Sequence, residues 1–231
     1  MAARDEFLSI ASHELRTPLT SLIGFAYLLP RATAQGPAAL TSLSARITHQ
    51  ARRLDTLVGQ LLDVSRLQQG SFVLDRQVLD LTTLVAQVVD TFGMALPADS
   101  AHMITWERPD GPVVLEADGA RLEQVLLNLL SNAAKYSLPG SPITVTLAAQ
   151  AAEAIITVAD HGIGIPAAAQ ARLSEPFYRA GNVPAQSSGF GIGLYVVQQI
   201  VERHGGRLHI DSTEGRGTTV RVVLPLAGLA P

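Results

Sequence analysis

The feature that most limits what this chain can fold into is a pair of leucine ladders in its first 68 residues. Counting in sevens gives Leu8, Leu15, Leu22 and Leu29, then Leu40, Ile47, Leu54 and Leu61 in the next segment. Second columns accompany both: Leu43, Leu57 and Val64 in the later segment, and Leu19 with Ala26, or Ala11 with Phe25, in the earlier one. A seven-residue apolar repeat keeps one stripe of an α-helix turned toward a partner. The spacing therefore predicts a first helix over 5–29 and a second ending near residue 68. Pro30 and Gly36 read as stop signals, which puts the turn at 31–37, and Pro18 should bend the first helix. A hairpin of about 65 residues has too little core to stand by itself. Two copies packed as a four-helix bundle would bury the seams, so a homodimer is expected.

In that register His13 falls five places after Leu8, away from the seam, and its ring is expected to face solvent or a docking partner. Glu14 is its neighbour and Thr17 lies one turn further on. Neutral imidazole, with an ordinary pKa of about 6.5, offers a lone pair at physiological pH. Glu14 could orient or accept the proton on the other ring nitrogen. An exposed helix histidine is ordinarily just solvated, so the rest of the chain has to decide.

The heptads stop near Gln69-Gly70, which divides the chain into 1–69 and 70–231. The second part reads as a strand at 71–75, a helix over 81–92, and strands at 103–107 and 113–116. A strongly periodic helix over 119–136 and a strand pair at 143–149 and 154–159 follow, then a helix over 192–204 and a closing hairpin at 207–211 and 218–224. Helices and antiparallel strands without strict alternation predict a helix layer on one face of a mixed sheet. The fold class is thus α+β, an all-α hairpin followed by a two-layer α/β sandwich.

A net charge of −3 gives no electrostatic case for nucleic acid or an anionic membrane surface. The absence of cysteine excludes disulfides and thiolate metal sites, and no apolar run approaches ~18 residues. Among sixteen arginines there is one lysine, Lys135, as if a compact ammonium were wanted there.

Three clusters in the second part carry chemistry. On the periodic helix, Asn128, Asn132 and Lys135 or Tyr136 recur at spacings of three and four, so two carboxamides and an ammonium share a face. Carboxamide oxygens suit a magnesium ion that keeps some waters, and lysine suits a phosphate. Asp160-His161-Gly162-Ile163-Gly164-Ile165 follows a strand. Its carboxylate can accept a hydrogen bond from an exocyclic amine such as that of adenine, and its glycines permit close backbone approach to a ligand. Gly189-Phe190-Gly191-Ile192-Gly193-Leu194 runs into a helix, where backbone N–H groups attract phosphate oxygens. Residues 181–188 have the composition of a mobile lid. Neither a dinucleotide fingerprint nor a P-loop is present.

In residues and order, these motifs resemble the sensor histidine kinases of two-component signalling. Ser12 to Pro18 resembles their phospho-acceptor box, Asn128 to Tyr136 the N box, and Asp160 to Ile165 the first glycine box. Glu175-Pro176-Phe177-Tyr178-Arg179 resembles the F box, and Gly189 to Leu194 the second glycine box. The resemblance spans Phe7 to about Leu224. It implies a dimerisation and histidine-phosphotransfer hairpin followed by a Bergerat-type, GHKL-class ATP-binding domain. By position, His13 would be phosphorylated, Glu14 would be its general base, and Thr17 would place water for dephosphorylating the partner. Asn132 with Asn128 would hold Mg2+, Lys135 and Arg179 would meet phosphates of ATP, Asp160 would read adenine, and Tyr136 would lie beside the base. Gly162, Gly164, Ile165, Gly189, Gly191, Gly193 and Leu194 would line the nucleotide. His161 stands where the family often has Asn, and Phe190 where a small residue is common.

The expected partners are a response regulator receiver domain and a second copy of the chain. The expected location is the cytoplasm, with any membrane contact made through an N-terminal region ahead of this core. Two alternatives keep less of the relay: a GHKL ATPase or anti-sigma-type kinase without the histidine, and a degenerate dimeric scaffold. The seamed hairpin with His13-Glu14 argues against the first, and the intact polar residues of all five motifs argue against the second.

Overall fold

The computed structural model describes residues 2–69, 72–96, 102–183 and 190–226, with side chains from residue 11 onward except those of His13 and Gln68. Two compact units make it up, one of residues 1–72 with 184–192 and the other of 73–183 with 193–231.

The first unit is a hairpin of two long helices, α1 (Ala2–Gln35) and α2 (Pro37–Gln68). The helix does not stop at Pro30. Both Pro18 and Pro30 lie inside α1, and the turn is reduced to Gly36, whose φ of 102° is left-handed backbone that suits glycine. Each proline removes one backbone donor from the ladder. Just beyond Pro30 the Thr33 hydroxyl donates back to Leu29 O at 2.9 Å within the helix.

The two apolar columns of each helix have different fates. The column that closes the hairpin is Ala11, Pro18, Phe25 and Ala32 on α1, facing Leu43, Gln50, Leu57 and Val64 on α2. All are buried except Phe25 and Gln50, which are half-buried, and Arg46 lies over the Phe25 ring at 4.5 Å. Of the two second columns open for the first helix, it is therefore Ala11 with Phe25 that packs inward. Leu15 and Leu22 stay half-buried, and Leu29 and Leu40 are exposed.

The second unit is a two-layer sandwich. Its elements are β1 (Gln77–Asp80), α3 (Leu81–Ala95), β2 (Ile104–Glu107), β3 (Val114–Ala117), α4 (Gly119–Tyr136), β4 (Ile143–Gln150), β5 (Glu153–Ala159), α5 (Ala167–Gln170), α6 (Gly193–Arg203), β6 (Arg207–Thr213) and β7 (Gly217–Pro225). The main sheet runs β2-β4-β5-β7-β6, with β2 parallel to β4 and every other pair antiparallel. A separate ladder pairs β1 with β3. Ile143, Val145, Leu147, Ala154, Ile156, Val158, Val222 and Leu224 turn one face of the sheet inward, and α3, α4 and α6 cover it. From α4 come Leu122, Val125, Leu126, Leu129, Leu130 and Ala133, all buried.

The strand expected at 71–75 is not one. Residues 72–75 are irregular and the strand forms at Gln77–Asp80; Ser71 lies outside the described residues. The short α5 had no sequence counterpart. Asp80 and Asp118 start α3 and α4 as N-caps, their carboxylates accepting from Thr82 N and Arg121 N at 3.0 and 3.1 Å.

Candidate functional site

Asp160 follows β5, and backbone donors hold its side chain. Its Oδ1 accepts from the N–H groups of Gly162 (2.9 Å) and Thr218 (3.2 Å). Among the described residues, Oδ2 has no hydrogen-bond partner. Burial pushes the carboxyl pKa up, against the two backbone donors and His161, which pull it down. A half-buried carboxylate with one oxygen anchored and the other open is suited to receive a donor such as an exocyclic amine.

The loop after Asp160 is pinned residue by residue. Ile163 N donates to Tyr136 O, Gly215 N to Ile163 O, Ile165 N to Ser212 Oγ, and Asn182 Nδ2 to Gly164 O. Gln170 Nε2 donates to both Ile165 O and Ser212 O. The fold itself requires the glycines of this loop. A Cβ on Gly162 would lie 2.2 Å from Tyr136 O, and one on Gly164, which has φ 62°, would lie 2.0 Å from Thr213 O. Backbone packed on backbone is what these positions demand. Gly217, with φ 112°, does the same against Asp160 O. Gly217, Thr218, Ser212 and Gln170 have no place among the sequence motifs, and Asn182 enters there only as part of the expected lid; the run Gly215-Arg216-Gly217-Thr218 carries a signal, but its target lies almost sixty residues earlier.

Asn128, Asn132, Lys135 and Tyr136 share α4. Asn128 Nδ2 donates back to Gln124 O at 2.9 Å, which turns Oδ1 outward; a Cβ on Gly193, at the start of α6, would lie 3.1 Å from it. Asn132 is half-buried, and its carboxamide makes no hydrogen bond among the described residues. Lys135 is exposed, its ammonium 4.8 Å from the Tyr136 ring centroid. Gly191 sits at φ 69°, Phe190 and Ile192 are buried, and Leu194 is half-buried in the first turn of α6. Arg179 is half-buried just after Phe177, which has φ 70°. The expected lid at 181–188 overlaps a stretch, 184–189, that lies outside the described residues together with Gly189.

A cavity of about 430 Å³ opens beside Asp160, walled by His161, Gln170, Ser212, Arg216 and Thr218 among others. The Asn128–Tyr136 face contributes nothing to its wall, so this opening approaches Asp160 from the β6–β7 side and not from α4.

On the hairpin, Glu14 is half-buried and Thr17 exposed on α1. His13 is within α1, but its side chain lies outside the described residues, so the expected exposure of its ring lies there too.

A seamed helical hairpin followed by a sandwich with a caged aspartate and an asparagine face defines a class of protein built from two parts. Residues 3–70 match the family described as the His Kinase A (phospho-acceptor) domain. Residues 117–228 match the Histidine kinase-, DNA gyrase B-, and HSP90-like ATPase. The circadian input-output histidine kinase CikA of Synechococcus elongatus is 36% identical over 230 residues, which cover 97% of this chain and 30% of CikA. The probable sensor histidine kinase TcrY of Mycobacterium tuberculosis is 35% identical over 227 residues, covering 98% and 46%. The crystal structure of full-length ShkA in complex with AMPPNP superposes with a TM-score of 0.68 at 27% identity, over 98% of this chain and 47% of that one. The chain therefore belongs to the sensor histidine kinase family, as its motifs implied, and it spans less than half the length of these curated relatives.

Proposed function

We propose that this chain is the kinase core of a two-component sensor, which phosphorylates its own His13 from ATP and passes the phosphoryl group to an aspartate of a response regulator receiver domain. Residues 1–69 act as the dimerisation and phosphotransfer domain and residues 70–231 as the catalytic ATP-binding domain. The observation that carries this reading is Asp160, a half-buried carboxylate anchored through Oδ1 alone, which leaves Oδ2 for the amine of adenine.

The other assignments follow the chemistry of the groups. Tyr136 lies beside the base, and Gly162, Gly164 and Ile165 hold the loop that positions Asp160. Lys135 and Arg179 would meet phosphates, and Gly191, Gly193 and Leu194, with Gly189 ahead of them in the sequence, would offer backbone N–H groups to them. No cluster of three histidine, cysteine or acidic side chains fit for a metal occurs among the described residues. A carboxamide pair with an unpartnered member matches an ion that keeps waters and substrate oxygens, so Asn128 and Asn132 would hold Mg2+. When bound, that ion offsets charge on the phosphates.

In the first transfer, one nitrogen of neutral His13 attacks the γ-phosphorus; an N–P bond forms, the bond to the β-γ bridging oxygen breaks, and ADP leaves. Glu14 takes the proton from the other ring nitrogen. In the second, a receiver carboxylate attacks the same phosphorus, the N–P bond breaks, and the ring takes back the proton it gave up, so that neutral His13 is restored. Thr17, one turn from Glu14, would hold water for the reverse, dephosphorylating activity. The exposed apolar residues Leu19, Ile23 and Leu62 support pairing of two hairpins as a four-helix bundle. The supply of ATP places the core in the cytoplasm. Among the described residues no helix is long and apolar enough to cross a membrane.

The test is incubation of the chain with labelled ATP and Mg2+, with the modified residue mapped by mass spectrometry. Phosphate should appear on His13 in the parent and vanish in His13→Gln, which should keep its nucleotide affinity. Label on another residue, or undiminished label in the variant, would remove the relay.

A further inference from the structure

His204 is among the most deeply buried polar side chains, 4% exposed, and neither the motifs nor the transfer chemistry gives it a task. It lies just past the end of α6, where Gly205, at φ 77°, turns the chain away. Its Nδ1 is 2.8 Å from Ile200 O, an acceptor only, so Nδ1 carries the proton. Its Nε2 then accepts from the backbone N–H of Asp118 at 3.1 Å. Asp118 is itself the N-cap of α4: one oxygen accepts from Arg121 N and the other from Asp75 N. A single neutral tautomer thus bridges the last turn of α6 and the first turn of α4. Burial lowers the ring's pKa, which favours that neutral form; the charged groups facing it are Arg76, which opposes the cation, and Asp118, which favours it. Arg76 also donates to Arg203 O at 2.6 Å, fastening the same helix end.

The two helices meet a second time. At the opposite end of α6, Gly193 lies against Asn128 Oδ1, nine residues beyond the start of α4. The pair is antiparallel and packed in contact, with a close polar approach near each end of α6, one made by His204 and the other at the face assigned to phosphate and metal. We infer that His204 is a positioning residue for nucleotide binding: by accepting the Asp118 N–H it fixes how far α6 sits along α4, and so sets Gly193 against Asn128. The inference rests on the phosphotransfer reading for what that junction binds. A misplacement of order 1 Å at such a junction is felt strongly in binding and catalysis, and a buried N–H without an acceptor has no cheap alternative.

Two substitutions divide the ring's two bonds. His204→Asn keeps a donor where Nδ1 stands and loses the acceptor for Asp118; His204→Gln keeps an acceptor where Nε2 stands and loses the donor to Ile200. In the full 231-residue chain, calorimetric titration with AMPPNP and Mg2+ should show about fivefold weaker binding in the Asn variant, and near-parent binding in the Gln variant. Amide exchange in the nucleotide-free chain should be faster in the Asn variant across Leu194–Val197 and Leu127–Asn132, far from the substitution, and restored by Gln. Equal behaviour of the two variants, or faster exchange confined to residues 118–122 and 200–206, would overturn the positioning role. A parent chain that binds no AMPPNP would instead refute the phosphotransfer reading, while the exchange pattern would still decide whether His204 sets the helix pair.

Discussion

The hairpin and the sandwich solve the burial of apolar side chains in different ways. In the sandwich both layers come from one chain, and Leu122, Leu126, Leu130, Ile143, Ile156 and Leu224 are fully enclosed. In the hairpin each helix covers one column and leaves others open, so Leu19, Ile23 and Leu62 stay about half exposed at 48%, 50% and 53%. A unit that closes its own core can be judged on single-chain contacts. A unit whose apolar pattern exceeds what one chain can cover encodes an assembly in its sequence.

Glycine substitutions should separate the two units most strongly. Gly164→Ala combines a left-handed φ with a Cβ placed 2.0 Å from a backbone oxygen that cannot step aside, and it should cost roughly 3–5 kcal/mol. Gly36→Ala meets nothing within 4 Å at φ 102°; only the backbone strain remains, about 1–2 kcal/mol. Chemical denaturation followed separately for each unit measures both. A Gly164 variant no worse than the Gly36 variant would mean that the close approach at Thr213 is soft.

Large-to-small changes sharpen the contrast further. Leu126→Ala empties a fully buried site and should cost about 2–5 kcal/mol, whatever the protein concentration. Ile23→Ala should cost about 0.5 kcal/mol or less in an isolated chain, and about 2 kcal/mol if a second hairpin covers it. Only in the second case does the effect, and the melting temperature, depend on concentration. A dilution series of Ile23→Ala beside Leu126→Ala reads the difference, and concentration-independent melting of the parent would argue against pairing.

The same contrast explains what could be read from the residues. Helix α4 forms over the residues that its period and its polar face mark, 119–136, and the Asp118 cap that fixes its start is a feature of the structure. Pro30 misled because proline is a local penalty, whereas the column ending in Ala32 continues to reward helix beyond it; the break falls at Gly36, where the backbone needs a left-handed φ. The run Phe72-Val73-Leu74 looked like a strand, but pairing with β3 selects Gln77–Asp80, and pairing is a long-range fact that local pattern does not contain. The glycines of the Asp160 loop stand out in the sequence, but the packing that requires them does not. Their neighbours are the backbones of Tyr136 and Thr213, which are remote in sequence. Thr218 was overlooked for the same cause, since its importance comes only from reaching Asp160.

The smallest predicted effect concerns the most specialised group. Asp160→Asn keeps the oxygen that accepts from Gly162 and Thr218 and removes a charge that burial opposes. The folded-state pKa is raised from 3.8, so as pH climbs above that range the carboxyl ionises more readily in the unfolded chain. The stability associated with the neutral acid is present below about pH 3.8 and is lost as pH rises through the folded value. Without nucleotide at neutral pH, the Asn variant should therefore melt higher than the parent by roughly 1–3 °C, with the gap closing in acid. With AMPPNP and Mg2+ the order should reverse, because an amide that presents a donor to the adenine amine gains nothing from ligand while the parent does. Melting curves at several pH values, with and without nucleotide, test both halves. A variant less stable than the parent in the absence of nucleotide would show that the charge of Asp160 holds the loop in place, and that its burial serves the fold before it serves a ligand.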